Sequence, residues 1–380
     1  MRRFFPVLFL FLFTGTSLLS AKEYYLEQYD YYVNIPETWN VQDASDPNFI
    51  VFSDSGRQAV FQILAVSPQS GDETPKSVFR RTADSIGASL EQATFSCNGR
   101  DASFGEFRFT MNATGVRGYG ICIKGKDIFF MLMAYAPEKS YDRYQADILS
   151  CLDSFSLGGE ALVTPGPVSQ FYYPFPGPNQ QLYQIVFQGD VLKIHTDEDE
   201  VEASQIVIER EAAILSRFKQ PNQKAWQRYY RIIYRDSYSR LASLADMINL
   251  YFTKEHREMD DYTIAVHLLD WLQSFSYIRT GTLSDLQAPL QSVLTSSGDC
   301  DSLGLLYCTL LDYFGIDSIM LVSAEYGHSM AAVDVAGKGA RYEYENRSYL
   351  LAELTDDVDI GLVDRTMADP AKWLPIDLER

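Results

Sequence analysis

Cys300, His328 and Glu353 are the residues whose types and order could together carry nucleophilic chemistry. Cys300 sits in the stretch Ser297-Gly298-Asp299-Cys300-Asp301-Ser302. Gly298 permits a tight turn. After it, Leu303, Leu306, Leu310, Leu311 and Phe314 recur at helical spacing. That spacing predicts a helix from Asp301 to Phe314, stopped by Gly315. Cys300 then falls at a helix N-terminus, where aligned peptide dipoles and open N–H groups favour an anion. The same N–H groups could hold an oxyanion on a substrate.

The elements that must position its partners follow in order. Ile319 to Ser323 reads as a strand, and Tyr326-Gly327-His328 turns into a second, Ser329 to Val335. A third, Tyr349 to Thr355, carries Glu353 among apolar residues. A carboxylate facing inward there needs a partner. In this order Cys300 would be the nucleophile. His328 would be the base that takes its proton and later the acid that protonates the leaving group. Glu353 would orient the imidazole and stabilise its charged form. Taken singly, a cysteine or histidine is more often a structural residue; the combination is what points to chemistry.

The segment from about residue 260 to 364 resembles the transglutaminase-like superfamily, a papain-like thiol fold. The resemblance rests on Gly298-Asp299-Cys300-Asp301-Ser302, Gly315-Ile316, His328 and Tyr349…Glu353-Leu354-Thr355. It implies a thiol nucleophile at Cys300, a base at His328 and an orienting acid at Glu353. Asp is commoner in the family where Glu353 stands. A small and then an aromatic residue is usual where this chain has Ser329-Met330. The resemblance supplies no oxyanion helper; Gln291 is a candidate for that role.

The amino-terminal half reads as a separate α+β unit over residues 22–157. Strands are expected at Tyr31–Pro36, Phe49–Phe52, Ala59–Val66, Arg117–Ile123 and Asp127–Ala136, with helices at Ser77–Gln92 and Tyr141–Phe155. Tyr32-Val33-Asn34-Ile35-Pro36-Glu37-Thr38-Trp39 at its start and Leu152-Asp153-Ser154-Phe155 at its end resemble the PsbP/Mog1-like family. That resemblance implies an antiparallel sheet with flanking helices, used for binding and docking.

Residues 1–21 carry Arg2 and Arg3 before an apolar run and end in Ser20-Ala21, so a cleaved export signal is expected. A retained anchor is the alternative; no later stretch is long enough to span a membrane. Residues 158–181 read as a Pro/Gly linker whose aromatics, Phe171, Tyr172, Tyr173 and Phe175, should lie against a domain. Residues 182–380 then form the thiol domain with a helical extension. Helices are expected at Glu200–Lys219, Gln223–Tyr234, Ser237–Phe252 and Asp260–Arg279, after a hairpin around Gly189-Asp190. The acidic run Asp197-Glu198-Asp199-Glu200 suits the first turn of a helix. It lacks the pattern of a calcium loop.

Length and charge bound the rest. At roughly 150 residues per domain, 380 residues suggest two or three domains. Lys and Arg total 32 against 51 Asp and Glu, a net charge of −19, which argues against a nucleic-acid binder. About −15 of this lies beyond residue 157, which favours cationic or neutral substrates. No cofactor or metal is expected: P-loop, zincin and nucleophile-elbow motifs are absent from the sequence. His256-Arg257-Glu258 lacks the cysteines of a zinc deaminase. Cys97, Cys122 and Cys151 allow at most one bridge, and Cys308 is too far along its helix to reach Cys300.

The expected function is therefore an exported, periplasmic or extracellular, cysteine-dependent amide hydrolase or acyl transferase acting on a peptide or protein, with an envelope protein as a possible partner of the first unit. The alternative is an inactive envelope protein that uses both units for binding.

Overall fold

A computed structural model describes residues 23–69, 74–218, 222–255 and 259–378. The expected signal over residues 1–21 and the tripeptide His256-Arg257-Glu258 lie outside the described residues. The chain is α+β. Its first half runs β1 (Tyr24–Leu26), β2 (Tyr31–Val33), β3 (Trp39–Asp46), β4 (Phe49–Asp54), β5 (Val60–Val66), α1 (Pro75–Ser85), β6 (Ser89–Cys97), β7 (Arg100–Met111), β8 (Thr114–Lys124), β9 (Phe129–Pro137), α2 (Tyr141–Asp153), β10 (Ser156–Leu157) and α3 (Pro167–Tyr172). The second half runs β11 (Gln181–Phe187), β12 (Asp190–Thr196), α4 (Glu198–Leu215), α5 (Gln223–Tyr238), α6 (Ala242–Glu255), α7 (Asp261–Gln273), β13 (Ser276–Tyr277), α8 (Pro289–Thr295), β14 (Ser297–Gly298), α9 (Cys300–Tyr313), β15 (Ser318–Ser323), β16 (His328–Val333), β17 (Arg341–Tyr344), β18 (Arg347–Ala352) and β19 (Leu374–Asp377).

Strands β3 to β9 form one antiparallel sheet in the order β3-β4-β5-β9-β8-β7-β6. Period-two alternation gives it two apolar faces. Phe52, Phe61, Ile121 and Leu132 share a core with Tyr141, Ile148 and Leu152 of α2. Cys122, Met131 and Met133 share the other with Val78 and Phe79 of α1. The expected helix over Ser77–Gln92 ends early. Gly87 takes a left-handed φ of +67° that favours glycine, and Leu90 then packs as part of β6. The stretch read as a linker contains α3, and its Phe171 ring lies 4.5 Å from that of Phe104 on the sheet.

In the second half, β17-β18-β16-β15-β19 form an antiparallel sheet. One face packs Met320, Val322, Ala331 and Val333 against Leu303, Leu306 and Leu310 of α9. The other packs Ile319, Leu321, Met330 and Leu351 with Trp373. The acids of residues 198–200 occupy the first turn of α4, and Asp197 caps it by accepting the Asp199 N–H.

Buried arginines join the halves. Arg228 on α5 donates to Glu211 on α4 (2.6 Å), to Ser150 on α2 (2.6 Å) and to the Asn34 carbonyl (3.1 Å). Arg210 donates to Asp153 (2.8 Å) and to Glu211 (2.9 Å). Arg235 donates to the carbonyls of Thr164, Asp153 and Phe155, each at 3.1 Å. Burial pushes the Glu211 carboxyl upward, but Arg228 and Arg210 outweigh it and hold it below the usual range.

Removing one member of such a pair strands a buried charge. Arg228→Met is expected to lower the unfolding free energy by about 3 kcal/mol or more, read from urea denaturation. A loss below about 1 kcal/mol, the scale of an exposed pair, would contradict a buried interlock.

Candidate active site

The cysteine comes to its place through the start of α9. Asp299 is the N-cap, and its Oδ1 accepts the Ser302 N–H at 2.8 Å and the Ser302 hydroxyl at 2.5 Å. The Asp299 carbonyl accepts the Leu303 N–H at 3.0 Å. Cys300 is therefore the first helical residue, one position before the helix start expected from the spacing. Gly298 is a close approach: a Cβ there would meet Leu303, Ser302 and Ser292 side-chain atoms at 3.1–3.2 Å. Burial, reinforced by Asp301, pushes the Asp299 carboxyl up to about 6 despite its bonds from Ser302.

The histidine and the acid come from neighbouring strands. His328 opens β16, and Glu353 directly follows β18. Ala331 pairs with Ala352, so the continued register sets Glu353 diagonally from His328 on the same face. His328 Nε2 and Glu353 Oε2 are 2.8 Å apart. Glu353 Oε1 accepts the Thr355 N–H (2.9 Å) and the Thr355 hydroxyl (2.6 Å), so both carboxylate oxygens are used. Gln273 on α7 donates to the Glu353 carbonyl at 2.8 Å and fixes the backbone there. Cys300 also acts on the imidazole and favours its charged form. Since Nε2 faces Glu353, Nδ1 is the nitrogen left for the thiol.

The electrostatics follow from this geometry. Burial pulls the His328 imidazole down, but hydrogen bonds to Cys300 and Glu353 and their charges outweigh it, raising it to about 10. Burial likewise opposes ionisation of Glu353, yet His328 and Thr355 hold it below the usual carboxylate range. A cationic ring between two acidic partners is the arrangement that makes a thiol nucleophilic.

Some contacts have no signature in the sequence. The Trp373 indole stands edge-on to His328, with centroids 6.2 Å apart, and its Nε1 donates to the Met367 carbonyl at 2.9 Å. Tyr326 packs on Trp373, and Lys372 lies over Tyr326 while pairing with Glu325 at 2.6 Å. Gln291 stands on α8, where its carbonyl accepts the Thr295 hydroxyl. The fully buried glutamine nearby is Gln287, whose Nε2 donates to Thr295 Oγ1 at 2.9 Å.

The five cysteines are all free and buried, so no bridge links Cys97, Cys122 and Cys151. Burial pushes the thiols of Cys97, Cys122 and Cys308 each up to about 12. A cavity of about 630 Å³ lies away from Cys300, beside Asp312 near the far end of α9, with Arg231, Arg235 and Arg347 among its walls. Among the described residues no His, Cys, Asp and Glu cluster could hold a metal ion, and no helix is long and apolar enough to cross a membrane.

No family model matches the chain, and no curated protein matches it. Solved structures with a partial likeness include the solution structure of cyanobacterial PsbP (CyanoP) from Synechocystis sp. PCC 6803. It is 17% identical, covers 39% of this chain and 98% of that one, and gives a TM-score of 0.31. A crystal structure from Bacteroides thetaiotaomicron is 10% identical over 87% of this chain and 89% of that one, with a TM-score of 0.28. LpqN, described as involved in cell envelope biogenesis of Mycobacterium tuberculosis, is 14% identical over 33% of this chain and 82% of that one, with a TM-score of 0.22. At these scores none of the three bears on what this chain does, and none supports a transglutaminase-like domain in the second half.

The raised imidazole makes a stability prediction with a definite sign. The cation it stabilises in the folded state contributes fully below the unfolded histidine value, about 6.5. That contribution is lost as pH rises towards about 10. Urea midpoints should therefore fall between these limits in the wild type, and His328→Gln should flatten that part of the profile. Parallel profiles for the two proteins would contradict the charged ring.

Proposed function

We propose that this chain is an exported, cysteine-dependent amide or peptide hydrolase or acyl transferase of the transglutaminase-like class. The observation that carries the reading is the set Cys300, His328 and Glu353, with the cysteine as first residue of α9, the imidazole 2.8 Å from Glu353, and Cys300 and Glu353 both favouring its charged form. Cys300 Sγ, whose proton the His328 imidazolium already holds, attacks the amide carbonyl. The developing oxyanion meets the positive end of α9. When the C–N bond breaks, the imidazolium returns the proton to the departing amine, and a thioester remains on Cys300. Water or a second amine, deprotonated by His328, then attacks the thioester and releases the thiol. Glu353 keeps the ring oriented throughout.

The amino-terminal unit, by its resemblance to the PsbP/Mog1-like family, would dock an envelope partner. Export rests on the signal-like composition of residues 1–21. A binding-only role is favoured by one observation, the 4% exposure of Cys300, which leaves little of the nucleophile open in the unliganded state.

Alkylation separates the two readings. Native protein treated with iodoacetamide at pH 7 should be modified at Cys300 while Cys97, Cys122, Cys151 and Cys308 stay unmodified, as read by peptide mass spectrometry. His328→Ala should slow that modification at least about 100-fold, the lower end for a lost general base. An unmodified Cys300, or an equal rate in the variant, would exclude the catalytic reading.

A further inference from the structure

The strand that precedes the nucleophile has a partner. β13 runs parallel to β14 with Ser276 opposite Ser297 and Tyr277 opposite Gly298, and the Ile278 N–H donates to the Gly298 carbonyl at 3.0 Å. The pairing ends there: Asp299 caps α9 and Cys300 opens it, while Arg279 follows Ile278 by one residue. Arg279 therefore leaves the backbone one residue beyond a segment bonded to Gly298, which itself lies two residues before Cys300.

The Arg279 side chain is 56% exposed. Its Nε donates to the Tyr277 hydroxyl at 3.3 Å, and one terminal nitrogen lies 3.8 Å from Asp285 Oδ2. Asp285 turns its other oxygen to the Gly281 N–H at 3.0 Å, so it grips the guanidinium only loosely. The Arg279 and Cys300 charges act on each other, and Arg279 also draws on Asp299. On the histidine side, Lys372 is held by Glu325 at 2.6 Å. Tyr277, Ile278 and Leu283 on the Arg279 segment are all exposed. The net acidity of this half favours cationic or neutral substrates, but the charge beside Cys300 has the opposite sign.

We propose that Arg279 is a specificity residue for the acyl substrate. It binds a carboxylate within about one residue of the scissile amide, an acidic side chain or a free terminal carboxylate, with Tyr277, Ile278 and Leu283 covering the apolar part of the chain. A guanidinium suits this because its planar donors match a carboxylate. The inference rests on Cys300 being the nucleophile.

Two alkylating reagents test it without a known substrate. In each, Cys300 sulfur displaces iodide, so one S–C bond forms as one C–I bond breaks. Iodoacetate carries a carboxylate next to the reacting carbon, and iodoacetamide does not. The ratio of the iodoacetate rate to the iodoacetamide rate at Cys300 should fall about two- to fourfold in Arg279→Gln, as expected for unit charges roughly 5–10 Å apart in an aqueous mouth. The ratio should recover in Arg279→Lys and shrink in the wild type at about 1 M salt, where the Debye length is only about 3 Å. A ratio equal in the wild type and Arg279→Gln, with Cys300 still modified by iodoacetamide, overturns the carboxylate site alone. Cys300 modified by neither reagent overturns the nucleophile reading and this inference with it.

Discussion

The hydrogen bond between His328 and Glu353 is the contact on which the proposed chemistry of the second half depends. At 2.8 Å it fixes which imidazole nitrogen faces the carboxylate and therefore which is left for Cys300. The contact needs two adjacent strands in one register, because a slip of one residue would turn Glu353 to the opposite face. Thr355 occupies the second carboxylate oxygen twice, which removes the freedom of the acid to turn away. The sheet thus sets the direction of the ring, and α9, packed on the same sheet, brings the thiol to it.

The site is also tied to the amino-terminal half. Helix α5 carries Arg228, which bonds Ser150 on α2, and two residues later Tyr230, whose hydroxyl donates to Asp301 at 2.8 Å. Asp301 follows Cys300 directly. Tyr234 hydrogen-bonds Asp312 near the other end of α9. One helix therefore braces α9 at both ends while its arginines are sunk into contacts with the first half. Buried guanidinium groups with several acceptors each are costly to separate, so the two halves hold a set relation to each other.

Much of the second half was legible from residues. The apolar spacing after Gly298 placed α9 to within a residue, and the strands around His328 and Glu353 were legible too, although the second stops at Ala352, just before Glu353. Other features were not. Leu90 keeps helical phase with Phe79 and Ile86, so only the backbone at Gly87 separates α1 from β6. The edge strand β6 exposes Glu91, Thr94 and Ser96, a pattern that gives little strand signal. Arg210, Arg228 and Arg235 look like ordinary helix-surface charges until α2 covers them. Trp373 sits far along the chain from His328, and no spacing rule joins them. Arg279 lies beyond the end of α7, which stops at Gln273, although the apolar run suggested a helix through to that arginine. Apart from the local turn at Gly87, what escaped was decided by tertiary partners.

The imidazole's charge is the property the whole arrangement should impose. ¹⁵N chemical shifts of the histidine side chains at pH 8, with His328 assigned by its loss in His328→Gln, read that charge directly. A ring raised to about 10 by Cys300 and Glu353 predicts shifts of a doubly protonated imidazolium at this pH. Shifts of a neutral imidazole, one nitrogen bare and the other protonated, would contradict it.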